Sequence, residues 1–283
     1  MLFILLICIS NISYATTVVN YPAIAREDDP RSEYPLALLQ MALDEAAQDY
    51  QLISTESHMS KSRALSFLKE NQIVDVVWTM TSREREQDYL PIRIPVFKGL
   101  SGYRVLLIHN SSQQKFARDL TIQKIKRLLY AQGHDWVDTS IMRRNGFAVL
   151  EASNYEALFF MLEKGRVDAV PRSVAEVLSE TAALKLRNIK VEKNWVFYYP
   201  TASYFFVNKH NITLARDIEE GLLKLINDGR FDKLFMQTFA AQLTELRLTE
   251  RNMIILDNPF LPAETPTQNP QLWYYRQQSN MQN

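Results

Sequence analysis

Two hydrophobic periods alternate along this chain. Leu36, Leu39, Leu43, Ala46, Ala47 and Tyr50 recur at the i, i+3, i+4 spacing of an amphipathic helix. Val74-Asp75-Val76-Val77-Trp78 then reads as a buried strand, and Tyr103 to His109 as another. Ile122, Ile125, Leu128 and Leu129 predict a helix stopped by Gly133. Asn154 suits an N-cap, Glu156 favours a first turn, and Leu158, Met161 and Leu162 form an apolar stripe ahead of Gly165. Val167 to Val170 is predicted as a short strand broken by Pro171, and Tyr204-Phe205-Phe206-Val207 as a further one. Leu214, Ile218, Leu222, Leu225 and Ile226 mark a strong helix ending at Gly229. Strands separated by helices of this length predict an α/β chain of βαβ units with mainly parallel sheets.

Both ends depart from this pattern. Leu2 to Ile9 is an unbroken apolar run followed by Ser13-Tyr14-Ala15. Eight apolar residues fall short of the roughly 20 that span a bilayer as helix, but they suit a secretory signal over residues 1–15. The alternative is a buried N-terminal strand. The sole cysteine, Cys8, follows Ile7 rather than a small residue, so no lipid anchor is expected. The mature chain is expected in the periplasm, thiol-free and not inserted in a membrane. At the other end, Pro259, Pro262, Pro266 and Pro270 forbid helix and predict an extended strap, docked by Leu272-Trp273-Tyr274-Tyr275, with a loose tail over 276–283.

Composition narrows the function. The 283 residues are 47% hydrophobic and 23% charged, which excludes a disordered or fibrous chain. Lys+Arg equals Asp+Glu at 32 each, so there is no overall basic excess to favour nucleic acid. GxSxG, HExxH, GxxxxGKS/T and GxGxxG are all missing, and His58, His109, His134 and His210 lie far apart. No metal, cofactor or catalytic role is expected, and three Asn-x-Ser/Thr triplets match at chance level.

Three constellations can hold an anion. Trp78-Thr79-Met80-Thr81-Ser82-Arg83-Glu84-Arg85 follows a strand, where ligands of open α/β sheets bind. Its alternative is a solvated helix start in which Arg83 and Arg85 pair with Glu84 and Glu86. Asp138-Thr139 opens a short helix whose N–H groups can face an anion; Asp138 as a plain N-cap is the competing reading. Pro171-Arg172-Ser173 leaves a strand, with Arg172 facing either a cleft or solvent.

Motifs add a resemblance. Asn154-Tyr155-Glu156-Ala157-Leu158 through Gly165-Arg166-Val167-Asp168-Ala169-Val170, and Leu225-Ile226-Asn227-Asp228-Gly229-Arg230-Phe231-Asp232-Lys233-Leu234, resemble elements of the type II periplasmic solute-binding proteins of family 3, the amino-acid-binding kind. Trp136-Val137-Asp138-Thr139, Pro171-Arg172, Tyr199 to Val207 and Leu256-Asp257-Asn258-Pro259 are similar to a divergent transporter substrate-binding-like branch. The resemblance implies two α/β lobes with a ligand cleft between them. It puts residues 16–100 and 209–275 in the first lobe and 101–208 in the second. It implies that Arg85 grips a ligand carboxylate, with Thr79 and Thr81 beside it and Asp138 and Thr139 facing it from the second lobe; Trp78, at the same strand end, joins them as a candidate ligand-binding residue. Where the family has an acidic residue for an amino group, this chain has Arg172. That substitution predicts an anionic ligand held between Arg85 and Arg172. The implied function is monomeric solute capture for a permease or sensor rather than catalysis. A dehydratase-like enzyme on the same fold and a signalling adaptor with a degenerate cleft are the alternatives.

Overall fold

The computed structural model describes residues 16–23, 30–185 and 187–274. The expected signal segment and loose tail lie outside the described residues. The chain opens with β1 (Thr17–Ala23), α1 (Glu33–Leu43), β2 (Tyr50–His58), α2 (Lys61–Lys69), β3 (Val76–Met80), α3 (Arg83–Asp88) and β4 (Tyr89–Ile92). It then crosses to a second lobe of β5 (Tyr103–His109), α4 (Ile122–Arg127), β6 (Leu129–Gly133), α5 (Val137–Arg144) and β7 (Ala148–Ala152). That lobe continues through α6 (Tyr155–Glu163), β8 (Val170–Ser173), α7 (Val177–Ala183), β9 (Ile189–Val191) and β10 (Trp195–Tyr198). A return crossing leads to β11 (Ser203–Asn208), α8 (Ile212–Asn227) and α9 (Arg230–Leu246), and β12 (Asn252–Ile255) closes the regular structure.

β11 is the centre of the first lobe's β3-β11-β4 sheet, antiparallel to both neighbours. Tyr204 to Val207 are fully buried, which is why that strand reads as an unbroken apolar run. α1 crosses α8 where Gly221 lies against the Ala42 carbonyl, too close for any β-carbon. In the second lobe β5 is central, antiparallel to β8, β9 and β10, while β6 and β7 pair in parallel. The sheets are therefore mixed, not mainly parallel: β11 runs against both of its neighbours, and β5 against β8, β9 and β10.

Several local expectations need correction. α1 ends at Leu43, and Tyr50 starts β2 after a turn, so the apolar spacing past Leu43 is not helical. Leu129 and Gly133 bound strand β6, leaving only Ile122–Arg127 as helix. Pro171 lies inside β8 rather than ending a strand; β8 is the last strand of its sheet, where a missing N–H is tolerated. β12 pairs in parallel with β10 in the second lobe's sheet, so that part of 209–275 does not join the first lobe.

The strap after β12 is not the extended segment expected: successive turns near Pro259, Ala263 and Thr267 and a 3₁₀ turn over Pro270–Leu272 fold it, because proline's fixed φ suits turn positions as well as extended backbone. Leu256 donates its N–H to Tyr198 O at 2.8 Å, Asn258 donates through Nδ2 to Pro200 O at 2.9 Å, and Arg83 N–H reaches Phe260 O at 3.1 Å. Trp273 is buried over Gly99, whose φ of +79° and lack of a side chain admit the indole. Tyr274 N–H reaches Lys98 O at 3.0 Å. The strap thus touches both crossing segments.

Candidate functional site

A cavity of about 510 Å³ lies between the lobes. Its first-lobe wall is the carboxyl end of β3 and the start of α2. Ser82 caps α3 by accepting from Arg85 N–H at 3.2 Å, which turns the helix back over the strand end. The Arg85 guanidinium then donates through Nη1 to Thr79 Oγ1 at 3.1 Å and to Met80 O at 2.6 Å. Both acceptors are neutral. Burial pulls this guanidinium below an arginine's ordinary range.

Lys61, the first residue of α2, follows the capping Ser60. Its Nζ donates to Trp78 O at 2.9 Å and lies 5.4 Å from the Trp78 ring centre. Burial, and then the like charges of Arg31 and Arg85, bring its ammonium down to about 8.

The second-lobe wall is built from paired charges. Arg104 donates through Nε to the Tyr199 hydroxyl at 2.9 Å, and its Nη2 meets Asp138 Oδ1 at 2.8 Å. The Tyr199 hydroxyl donates to the same carboxylate. Burial works most strongly against the Arg104 charge, but Asp138, Tyr199 and Glu176 together hold the guanidinium above its ordinary range. Arg172 binds both Glu180 oxygens, through Nε at 2.7 Å and through Nη2, and reaches Glu176 Oε2 at 3.0 Å. Its guanidinium carbon sits 4.7 Å from the Trp136 ring centre. Arg31 approaches this cluster from the first lobe, 4.0 Å from the Tyr155 ring centre and 3.7 Å from Glu180 Oε1.

Among the residues expected at the site, Trp78, Thr79, Arg85, Asp138 and Arg172 line the cavity, whereas Thr81 and Thr139 do not. Thr81 is fully buried and donates its hydroxyl to Glu86 at 2.6 Å; Thr139 donates to Gly133 O at 2.7 Å. Both hydroxyls brace the chain behind the wall. Asp138 is not an N-cap, because that position falls at Trp136, and its carboxylate is committed to Arg104 and Tyr199. Arg172 is not a free anion anchor, because Glu180 and Glu176 already neutralise it. Nor do Arg83 and Arg85 pair with their neighbouring acids: Glu86 binds Arg93 at 2.6 Å.

Sequence reasoning missed Arg104, Lys61, Trp136 and Tyr155 as cavity-lining residues. Arg104 carried a usable signal, since one arginine inside the apolar run Tyr103 to His109 requires a buried partner. Lys61 after a capping Ser60 carried none, because surface helices start the same way. A second chamber of about 480 Å³ shares Arg85, Trp136 and Asp135 with the first and is bounded by Phe260 of the strap. No cluster of three or more metal-ligating side chains occurs among the described residues, and no helix among them is long and apolar enough to cross a membrane.

No sequence-family profile matches this chain, and no curated protein matches it. Solved structures do. The GluR0 ligand-binding core from Nostoc punctiforme, in complex with (L)-glutamate, superposes with a TM-score of 0.56 at 19% identity, covering 79% of this chain and 99% of that one. A probable amino-acid ABC transporter extracellular-binding protein from Bacillus subtilis gives 0.58 at 19% identity, covering 80% and 98%. A histidine kinase sensor domain with similarity to periplasmic binding proteins gives 0.59 at 14% identity, covering 80% and 96%. With two α/β lobes, two crossing segments and a cavity between them, the chain has the type II periplasmic binding protein fold.

Proposed function

We propose that this protein is an extracytoplasmic solute-binding protein that captures a small, carboxylate-bearing polar ligand between its lobes. The observation that carries the reading is the Arg85 guanidinium at the cavity wall, bonded to Thr79 Oγ1 and Met80 O rather than to a carboxylate. A cation held by neutral acceptors is pre-oriented for a bidentate carboxylate from the ligand. The neutralised Arg172 does not repel an ammonium group, and Glu176 presents a carboxylate to the same cavity. An amino-acid-like ligand therefore fits as well as a plain anion. Binding rather than turnover is favoured by the neighbouring structures, which include transporter binding proteins and a kinase sensor domain. Either a permease or a sensor is a suitable partner.

The test is mass spectrometry of small molecules released from protein purified from its native host, followed by titration calorimetry with them. Recovery of a carboxylate whose binding is lost in Arg85→Met supports the reading. A ligand lacking any carboxylate, or one bound equally by Arg85→Met, overturns it.

A further inference from the structure

The first-lobe wall holds a second cation, and its placement points to the class of ligand. Lys61 and Arg85 hang from one strand end: Lys61 Nζ on the carbonyl of Trp78, Arg85 Nη1 on the carbonyl of Met80. Carbonyls two residues apart on a strand project to the same side, about 6.6 Å apart at ordinary strand rise. The two cationic heads are thus set side by side, one on each carbonyl. We infer that the cavity selects ligands with two anionic groups, a short dicarboxylate or an acidic amino acid, with one carboxylate on Arg85 and the second on Lys61. This rests on the carboxylate-binding role of Arg85 argued above.

Charge placement across the cleft supports the assignment. Arg104 and Arg172 are each matched by acids on their own lobe, so the second wall adds no free positive charge. The groups facing Lys61 are Arg31 before α1, Arg85 on α3, Asp135 after β6 and Glu176 before α7. Asp135 reaches across to the first lobe, accepting from the Ser62 hydroxyl at 3.1 Å. Burial and the charges of Arg31 and Arg85 oppose the Lys61 ammonium, and the Trp78 carbonyl, Asp135 and Glu176 offset this only in part. A ligand carboxylate beside it reverses that balance, and binding then draws in a proton when the solution lies above about pH 8.

Titration calorimetry with glutarate, glutamate and glutamine on the intact mature chain tests this. The diacids are expected to bind about tenfold or more tighter than glutamine, the worth of one charge-assisted bond. Lys61→Gln should abolish the preference for the diacids over glutamine, and Lys61→Arg should keep it, with circular dichroism confirming both folds. Glutarate, which has no group of its own titrating there, should bind more weakly at pH 9.5 than at pH 7 to the parent protein and hold its affinity in Lys61→Arg. Equal binding of glutamine and the diacids by the parent protein, or equal weakening of all three by Lys61→Gln, overturns the two-anion inference and leaves the role of Arg85 standing. No heat from any of the three overturns the two-anion inference. If Arg85→Met then still binds the ligand recovered from the native host, the carboxylate reading falls with it.

Discussion

Arg172 and Glu180 form a bidentate pair in which neither side chain is more than 3% exposed. Removing one partner strands the other charge in a dry site. Glu180→Gln is expected to cost about 3–5 kcal/mol in equilibrium denaturation. Glu180→Gln combined with Arg172→Met should recover part of that loss, which a chevron or urea titration of both variants checks.

The same pair sets an acid limit. Burial alone would raise the Glu180 carboxyl, but the Arg172 charge and hydrogen bonds hold it below the ordinary carboxylate range. Its contribution is fully present above the unfolded carboxylate's pKa and is lost as pH falls through the depressed folded value. The melting temperature should therefore drop below about pH 4, and less steeply in the double variant Glu180→Gln/Arg172→Met. Calorimetric scans from neutral to acidic pH measure this.

Arg85 should separate binding from folding. Its substitution by Met is expected to weaken carboxylate ligands about a hundredfold, near 3 kcal/mol. Because its acceptors are a hydroxyl and a carbonyl that reach water in its absence, the melting temperature of the apo protein should move little.

Tyr199 joins the cleft to the second crossing segment through Arg104 and Asp138. Tyr199→Phe leaves Arg104 Nε without its acceptor in a buried site, at an expected cost of about 1–3 kcal/mol. Asp138→Asn should cost more, since it leaves a charged guanidinium unpaired. Urea denaturation of the two variants ranks them.

At the first crossing, Gly99→Ala combines a left-handed backbone with overlap of the Trp273 ring. Backbone cost alone is about 1–2 kcal/mol, so a larger loss reports the steric conflict. Trp273→Ala empties the strap's anchor and should cost about 3–5 kcal/mol. The double variant should be less destabilised than the sum, because the overlap is gone. Thermal denaturation of the three proteins gives the coupling.

Local pattern made much of the fold legible. β5 was readable to its ends, Tyr103 and His109, and α6 from its Asn154 cap, because both are settled by side chains within a few positions. Where one apolar spacing serves both a helix and a following strand, as from Leu36 to Tyr50 or Ile122 to Leu129, sequence could not place the break. The mixed strand directions were hidden for a different reason, since pairing depends on partners distant in the chain. At the cavity, Trp78 and Thr79 follow from their place at a strand's carboxyl end and Arg85 from the turn beyond it. Arg172 was misjudged because its neutralising acid, Glu180, lies two helical turns further on and only tertiary structure folds it back. Lys61 was invisible because nothing local distinguishes it from an ordinary helix-start lysine.

The inner strand of the first lobe has a consequence for synthesis. β11 fills the gap between β3 and β4, yet the second lobe from β5 to β10 is translated between β4 and β11. Until those later residues emerge, a nascent polypeptide carries two bare apolar edges with no mate. Such edges invite off-pathway pairing and chaperone capture. The chain is therefore committed to staying unfinished in its first half for most of its passage off the ribosome.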